Sequence, residues 1–129
     1  MMERRKQELR LVETGYGELE VSPTLDVFIV KHWGLPPGWS KSETQVLIQI
    51  PPGYPVTPPD NFYTDQDLCL EGGLQPGNSN PNVVLMDRQW RLFSYHVEGG
   101  DWLPHADALK GHNFLTFLQG VTKRLREVN

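Results

Sequence analysis

A chain of 129 residues that is 38% hydrophobic is long and apolar enough to close one core without disulfides, which excludes wholesale disorder and collagen-like structure. Its 12 basic and 16 acidic side chains leave a net charge of −4, which argues against a nucleic-acid partner because phosphate binding needs a basic face. No run of about 18 apolar residues occurs, so no membrane span is expected, and the charged opening MMERRKQELR does not read as a secretion signal. One cysteine, Cys69, cannot form an internal disulfide, and a reducing, cytoplasmic location is expected.

In chain order, residues 3–13 read as a short helix, with Leu9 and Val12 on one face and charge on the others. Gly15 and Gly17 stop it. From 17 to 33, Leu19, Val21, Val27, Ile29 and Lys31 alternate as in strands, and residues 34–43 form a turn rich in proline and glycine. Residues 44–50 are the clearest strand, with Val46, Ile48 and Ile50 on one face; Pro51 and Pro52 end it because neither can donate to a ladder. Five of the 11 prolines lie between Pro51 and Pro59, marking an extended, stiffened crossover. Residues 65–82 read as a long loop, and 83–96 as one or two short strands broken by Gly99 and Gly100. The strongest helix is expected at about 106–127, where Leu109, Leu115, Leu118, Val121, Leu125 and Val128 recur at helical spacing. Lys123, Arg124 and Arg126 suit its C-terminal dipole, and Gly111 and Gly120 should each weaken it by about 1 kcal/mol relative to alanine. No repeat or linker divides residues 1–129, and a single α+β domain is expected, with an N-terminal and a long C-terminal helix packed on one side of an antiparallel meander.

The crossover reads Tyr54-Pro55, two residues, Pro58-Pro59, then an aromatic at Phe62. It resembles the signature of ubiquitin-conjugating enzymes between their third and fourth strands, and the helix–meander–helix order extends the resemblance to nearly the whole chain. Many relatives carry a further C-terminal pair of helices, absent here, which makes this chain similar to the prokaryotic branch. The resemblance implies an acyltransferase of a bacterial pathway. It would accept the C-terminus of a ubiquitin-like protein from an activating enzyme and pass it to a target protein. Binding-only members of the superfamily are the alternative.

Relatives place the nucleophile eight residues before a tryptophan that is followed by a proline. Trp102-Leu103-Pro104 resembles that landmark, and counting back eight reaches Ser94. In extended backbone, residues i and i+2 share a face, so His96 would stand beside Ser94 as a base that titrates near neutrality. Asp87 and Asp101 are candidates for a third, orienting residue. Asn80-Pro81-Asn82 is similar to the His-Pro-Asn motif of relatives, and the resemblance implies Asn82 as an oxyanion donor. Cys69 is the alternative nucleophile, since a thiol ionises more readily than a hydroxyl, although it lies early in the family's layout, 33 residues before Trp102.

The family's activating enzyme docks on the first helix, which maps here to Arg4, Arg5, Lys6 and Arg10. No metal is expected, because His96, His105, His112 and Cys69 contain no close ligand pair. No glycine-rich phosphate loop precedes a Lys-Ser/Thr pair, so neither ATP nor another cofactor is expected on this chain. The four tryptophans read as packing residues.

Overall fold

The computed structural model describes residues 2–127. Helix α1 (Met2–Tyr16) runs three residues past its expected end, then stops at Gly17, whose φ of +86° and amide bond to the Glu13 carbonyl (2.9 Å) form a left-handed cap. Six strands follow: β1 (Leu19–Val21), β2 (Val27–Gly34), β3 (Glu43–Gln49), β4 (Phe62–Asp65), β5 (Ser79–Leu85) and β6 (Arg88–Phe93). They form one sheet of order β1-β2-β3-β4-β6-β5, with every neighbouring pair antiparallel. Helix α2 (Phe114–Arg126) closes the chain.

Alternation sorts the strands as expected. Phe28, Val30, Val46, Ile48, Phe62 and Phe93 face the core, where α1 contributes Leu9 and Val12, and α2 contributes Phe114, Phe117, Leu118, Val121 and Leu125. Both helices therefore cover one face of the sheet, which is the α+β layout read from the sequence. On the other face, Ile29, Leu47, Tyr63 and Trp90 make a smaller cluster. Arg88 on β6 lies 5.1 Å from the Trp90 ring centroid and reaches Glu20 on the edge strand β1 (3.2 Å), joining strands four places apart in the order. No helix among the described residues is long and apolar enough to cross a membrane.

Two boundaries differ from expectation. β5 begins at Ser79, inside the expected loop 65–82. Ser79 and Asn80 have little strand propensity, but pairing with Phe93 and Leu92 overrides it. A register shift between Asn80 and Val83 accommodates Pro81 on this edge strand. The C-terminal helix starts at Phe114, not near 106. Gly111 takes φ +63°, and a Cβ built there would lie 2.7 Å from the Leu103 carbonyl, so the chain turns back on itself before Asn113 caps α2 through the Thr116 amide. Leu109, assigned to the helix's apolar face, is exposed in this turn, and Val128 lies outside the described residues.

The helices meet at a charge. Glu8, expected on a solvated face of α1, is fully buried. Its Oε1 accepts from the Tyr54 hydroxyl (2.5 Å) and from the Phe114 amide (2.7 Å), and its Oε2 accepts from Arg4 Nε (2.7 Å). The Phe114 N–H is one of the donors that a helix N-terminus leaves unpaired, and a carboxylate there also meets the positive end of the dipole. Burial, then the hydrogen bond to Glu8 and its charge, pushes the Tyr54 hydroxyl well above the usual phenol range, so it stays a donor. Glu8→Ala should lower unfolding free energy by about 3–5 kcal/mol, because it strands three buried donors. Tyr54→Phe, which removes one donor and leaves the carboxylate two others, should lower it by about 1–2 kcal/mol in the same urea titration.

Candidate active site

Strand β6 ends at Phe93, but its alternation persists: Phe93 and Tyr95 turn inward while Ser94 and His96 are exposed. Hydrogen bonds from both sides keep the segment extended. The Ser94 amide donates to the Asn78 carbonyl (3.0 Å), the Asn61 amide donates to the Tyr95 carbonyl (2.7 Å), and the Tyr95 amide donates to Asn61 Oδ1 (3.1 Å). Ser94 and His96 thus share one solvent face, although no hydrogen bond among the described residues joins them.

The imidazole is held by a residue that sequence reasoning missed. His96 Nδ1 donates to Asp60 Oδ1 at 2.5 Å, which leaves Nε2 as its free nitrogen. Asp60 follows Pro58-Pro59 and is 36 positions from His96, so only the crossover's path across the sheet brings the two together. Of the two aspartates weighed for this place, Asp87 is in the turn at the opposite end of β6, and Asp101 makes no pair with His96. His96 and Asp101 instead line a pocket of about 260 Å³ with Trp102, His112 and Thr116.

Packing below the site fixes its backbone. Tyr95 lies edge-on to Phe117 (5.3 Å) and Phe62 (6.2 Å), and burial raises its hydroxyl above the usual phenol range. Its ring lies over Gly120 of α2, where an added Cβ would overlap the hydroxyl and approach Cζ to 2.7 Å. Trp102 is buried, its indole N–H donating to the Pro55 carbonyl (2.7 Å) and its ring tilted on Tyr54 (6.2 Å). The Trp-Leu-Pro segment is therefore fastened to the Tyr-Pro segment, with the Tyr54–Pro55 peptide bond cis. Leu103 completes the turn by donating its amide to His112 Nδ1 (2.9 Å).

Other assigned residues fall elsewhere. Asn82 is exposed on β5, its amide donating to Asn80 Oδ1 (2.9 Å); Asn78 is the β5-side residue beside Ser94, so Asn82 stands three to four positions, about 10–13 Å, along the strand from it. Cys69 is half-buried in loop 66–78, with its amide donating to Ser40 Oγ (3.2 Å) and its carbonyl accepting from the Ser40 amide (2.8 Å). Beneath that loop lies Arg91, 3% exposed, bonded to Ser79 Oγ (3.0 Å) and Gln75 Oε1 (2.7 Å). Burial lowers the Arg91 pKa, partly offset by Cys69 and Asp67 nearby. No group of three or more His, Cys, Asp or Glu side chains among the described residues is placed to hold a metal ion.

The basic residues of α1 divide into two kinds. Arg5 is 7% exposed and donates to the carbonyls of Leu25 (2.7 Å) and Pro51 (3.1 Å), so it buttresses the crossover and is no free docking charge. Arg4 pairs with Glu8 and also donates to the His105 carbonyl. Lys6 and Arg10 are exposed.

Two outcomes follow from this packing. Gly120→Ala, a change that in an open helix adds about 1 kcal/mol, should instead lower stability and loosen Tyr95, seen as a lower Tm and faster amide exchange at Tyr95. Arg5→Glu should destabilise by several kcal/mol by leaving two carbonyls unpaired and burying a lone carboxylate, whereas Lys6→Glu with Arg10→Glu should hold within about 0.5 kcal/mol in the same denaturation experiment.

No curated protein and no solved structure matches the chain. A family model does: prokaryotic E2 family E aligns with residues 3–127, which includes the Tyr-Pro and Pro-Pro crossover, Ser94, His96 and the Trp102 segment. The chain therefore belongs to prokaryotic E2 family E, and with it to the conjugating-enzyme-like proteins.

Proposed function

We propose that this protein carries the C-terminus of a ubiquitin-like protein as an ester on Ser94, received from an activating enzyme and passed on to a target. The observation that carries the reading is the His96–Asp60 pair standing on the same solvent face as Ser94, at the register counted back from Trp102. The Asp60 carboxylate holds the proton on Nδ1, so Nε2 offers a lone pair. In the loading step Ser94 Oγ bonds to the donor's acyl carbon and the bond to the donor's leaving group breaks. The hydroxyl proton passes to His96 Nε2 and then to the leaving group. The hydrogen bond between serine and histidine forms when the donor is seated, as such contacts commonly tighten on substrate binding.

Two features favour Ser94 over Cys69. Ser94 is exposed on the face that also carries His96, whereas Cys69 is half-buried and has both backbone groups fixed to Ser40. Lys6 and Arg10 remain as the exposed basic positions of α1 for docking the activating enzyme, and reversing both should slow loading in a salt-sensitive way.

Loading with the activating enzyme, ATP and the ubiquitin-like protein tests the reading. The wild-type adduct should resist thiol reductant and yield to hydroxylamine. Ser94→Ala should abolish it, and Ser94→Cys should restore one that reductant cleaves. His96→Ala should slow loading by about 10²–10⁴-fold, and Asp60→Asn should slow it less. An adduct that survives Ser94→Ala but is lost in Cys69→Ala would transfer the role to a thioester on Cys69. Non-covalent binding alone would make the protein a binding module.

A further inference from the structure

The acyl-transfer reading leaves one role unfilled: a donor for the oxyanion that forms when Ser94 attacks a carbonyl. Asn82 is about 10–13 Å along the strand from Ser94 and cannot supply it. We infer, resting on the Ser94 reading, that the side-chain amide of Asn61 stabilises that oxyanion.

Asn61 lies between Asp60, which holds His96, and Phe62, which pairs with Phe93. Its backbone has φ +61°, a left-handed conformation that asparagine and aspartate tolerate better than other non-glycine residues. This bend lets one residue grip Tyr95 twice: the Asn61 amide donates to the Tyr95 carbonyl (2.7 Å), and Asn61 Oδ1 accepts the Tyr95 amide (3.1 Å). Tyr95 is the residue between nucleophile and base, so Asn61 touches the peptide that joins them. With Oδ1 committed, the amide is fixed in orientation, as Oδ1 must be the acceptor of an N–H. Nδ2 has no hydrogen-bond partner among the described residues, and it is absent from the buried, unpaired side-chain atoms (Arg4 Nη2, Gln45 Oε1 and Arg91 Nε). Nδ2 is therefore not sealed in the interior, and it is bonded to the same carbon as Oδ1 and so lies within a few ångströms of the Ser94–Tyr95 peptide. A donor held in advance by a second hydrogen bond needs no reorganisation when charge develops, which is what makes such groups effective.

A fluorophosphonate probe tests this on the protein alone. Ser94 Oγ bonds to phosphorus, fluoride leaves, the proton passes through His96 to solvent, and the phosphoryl oxygen occupies the oxyanion's place. Asn61→Asp retains an oxygen acceptor for the Tyr95 amide and a side chain that tolerates φ +61°, while it replaces the N–H donors with a carboxylate that cannot donate to the oxyanion and opposes its charge. It should slow phosphonylation of Ser94 by about 10²–10³-fold, with Tm unchanged and the Tyr95 amide still protected from exchange. The loss should persist on the high-pH plateau of the labelling rate, which separates a missing donor from an altered base. In the wild-type protein, the Asn61 side-chain amide signals in a ¹⁵N–¹H spectrum should move when the adduct forms. Labelling of Asn61→Asp at the wild-type rate, or Asn61 signals that do not move, overturns the inference and leaves the Ser94 reading standing. A wild-type Ser94 that the probe does not label overturns the Ser94 reading, and the inference with it.

Discussion

The carboxylate of Glu8 holds together three segments that are remote in sequence. It is fully buried and accepts from the first turn of α1, from the Tyr-Pro crossover and from the first residue of α2. A charge in such a place is tolerable only when its oxygens are paired on good geometry, so each partner constrains the others. Tyr54 cannot shift without taking one of three donors from Glu8, and α2 cannot slide without losing the partner of its first amide. The crossover is held a second time by Arg5, which binds the Leu25 and Pro51 carbonyls, and a third time by the Trp102 indole on Pro55. α1 is thus a structural clamp on the crossover, with Lys6 and Arg10 as its exposed basic residues.

That rigidity reaches the candidate site. Asp60 and Asn61 are the last residues of the crossover before β4, so whatever fixes Tyr54 and Pro55 also fixes the groups that hold His96 and Tyr95. From below, the absence of a side chain at Gly120 admits the Tyr95 ring against α2. Ser94 and His96 therefore stand on solvent-facing positions of a segment whose inward residues are packed and whose edges are hydrogen-bonded on both sides. This is the arrangement a nucleophile and base need: exposed to a large donor, yet with little freedom to lose.

The fold was largely legible because alternation in β2 and β3, the proline-stiffened crossover and the spacing Leu118, Val121, Leu125 each report burial directly. What escaped were features that depend on tertiary pairing or on a single backbone dihedral. Glu8 and Arg5 look like ordinary charges on an amphipathic helix, and no local pattern tells that the crossover and α2 will cover them. Gly111 is merely a weak helix residue by propensity; only the approach of the Leu103 carbonyl makes it a turn. The Ser94–His96 face follows from period-two geometry and could be read. Asp60 could not, since its partner is 36 residues away and the nearer aspartates, Asp87 and Asp101, looked equally suitable. One usable signal was present: the polar pair Asp60-Asn61 directly after the prolines, where a stiff crossover hands over to a strand.

The chain is a conjugating-enzyme-like protein, and the proposed nucleophile is Ser94, served by the His96–Asp60 pair. The most direct measurement is to form the adduct with the activating enzyme and the ubiquitin-like protein, digest it at mildly acidic pH where esters persist, and locate the modified residue by tandem mass spectrometry. The account predicts the remnant on the peptide bearing Ser94, with Cys69 recovered as a free thiol. A remnant on Cys69, or on any residue other than Ser94, would contradict it.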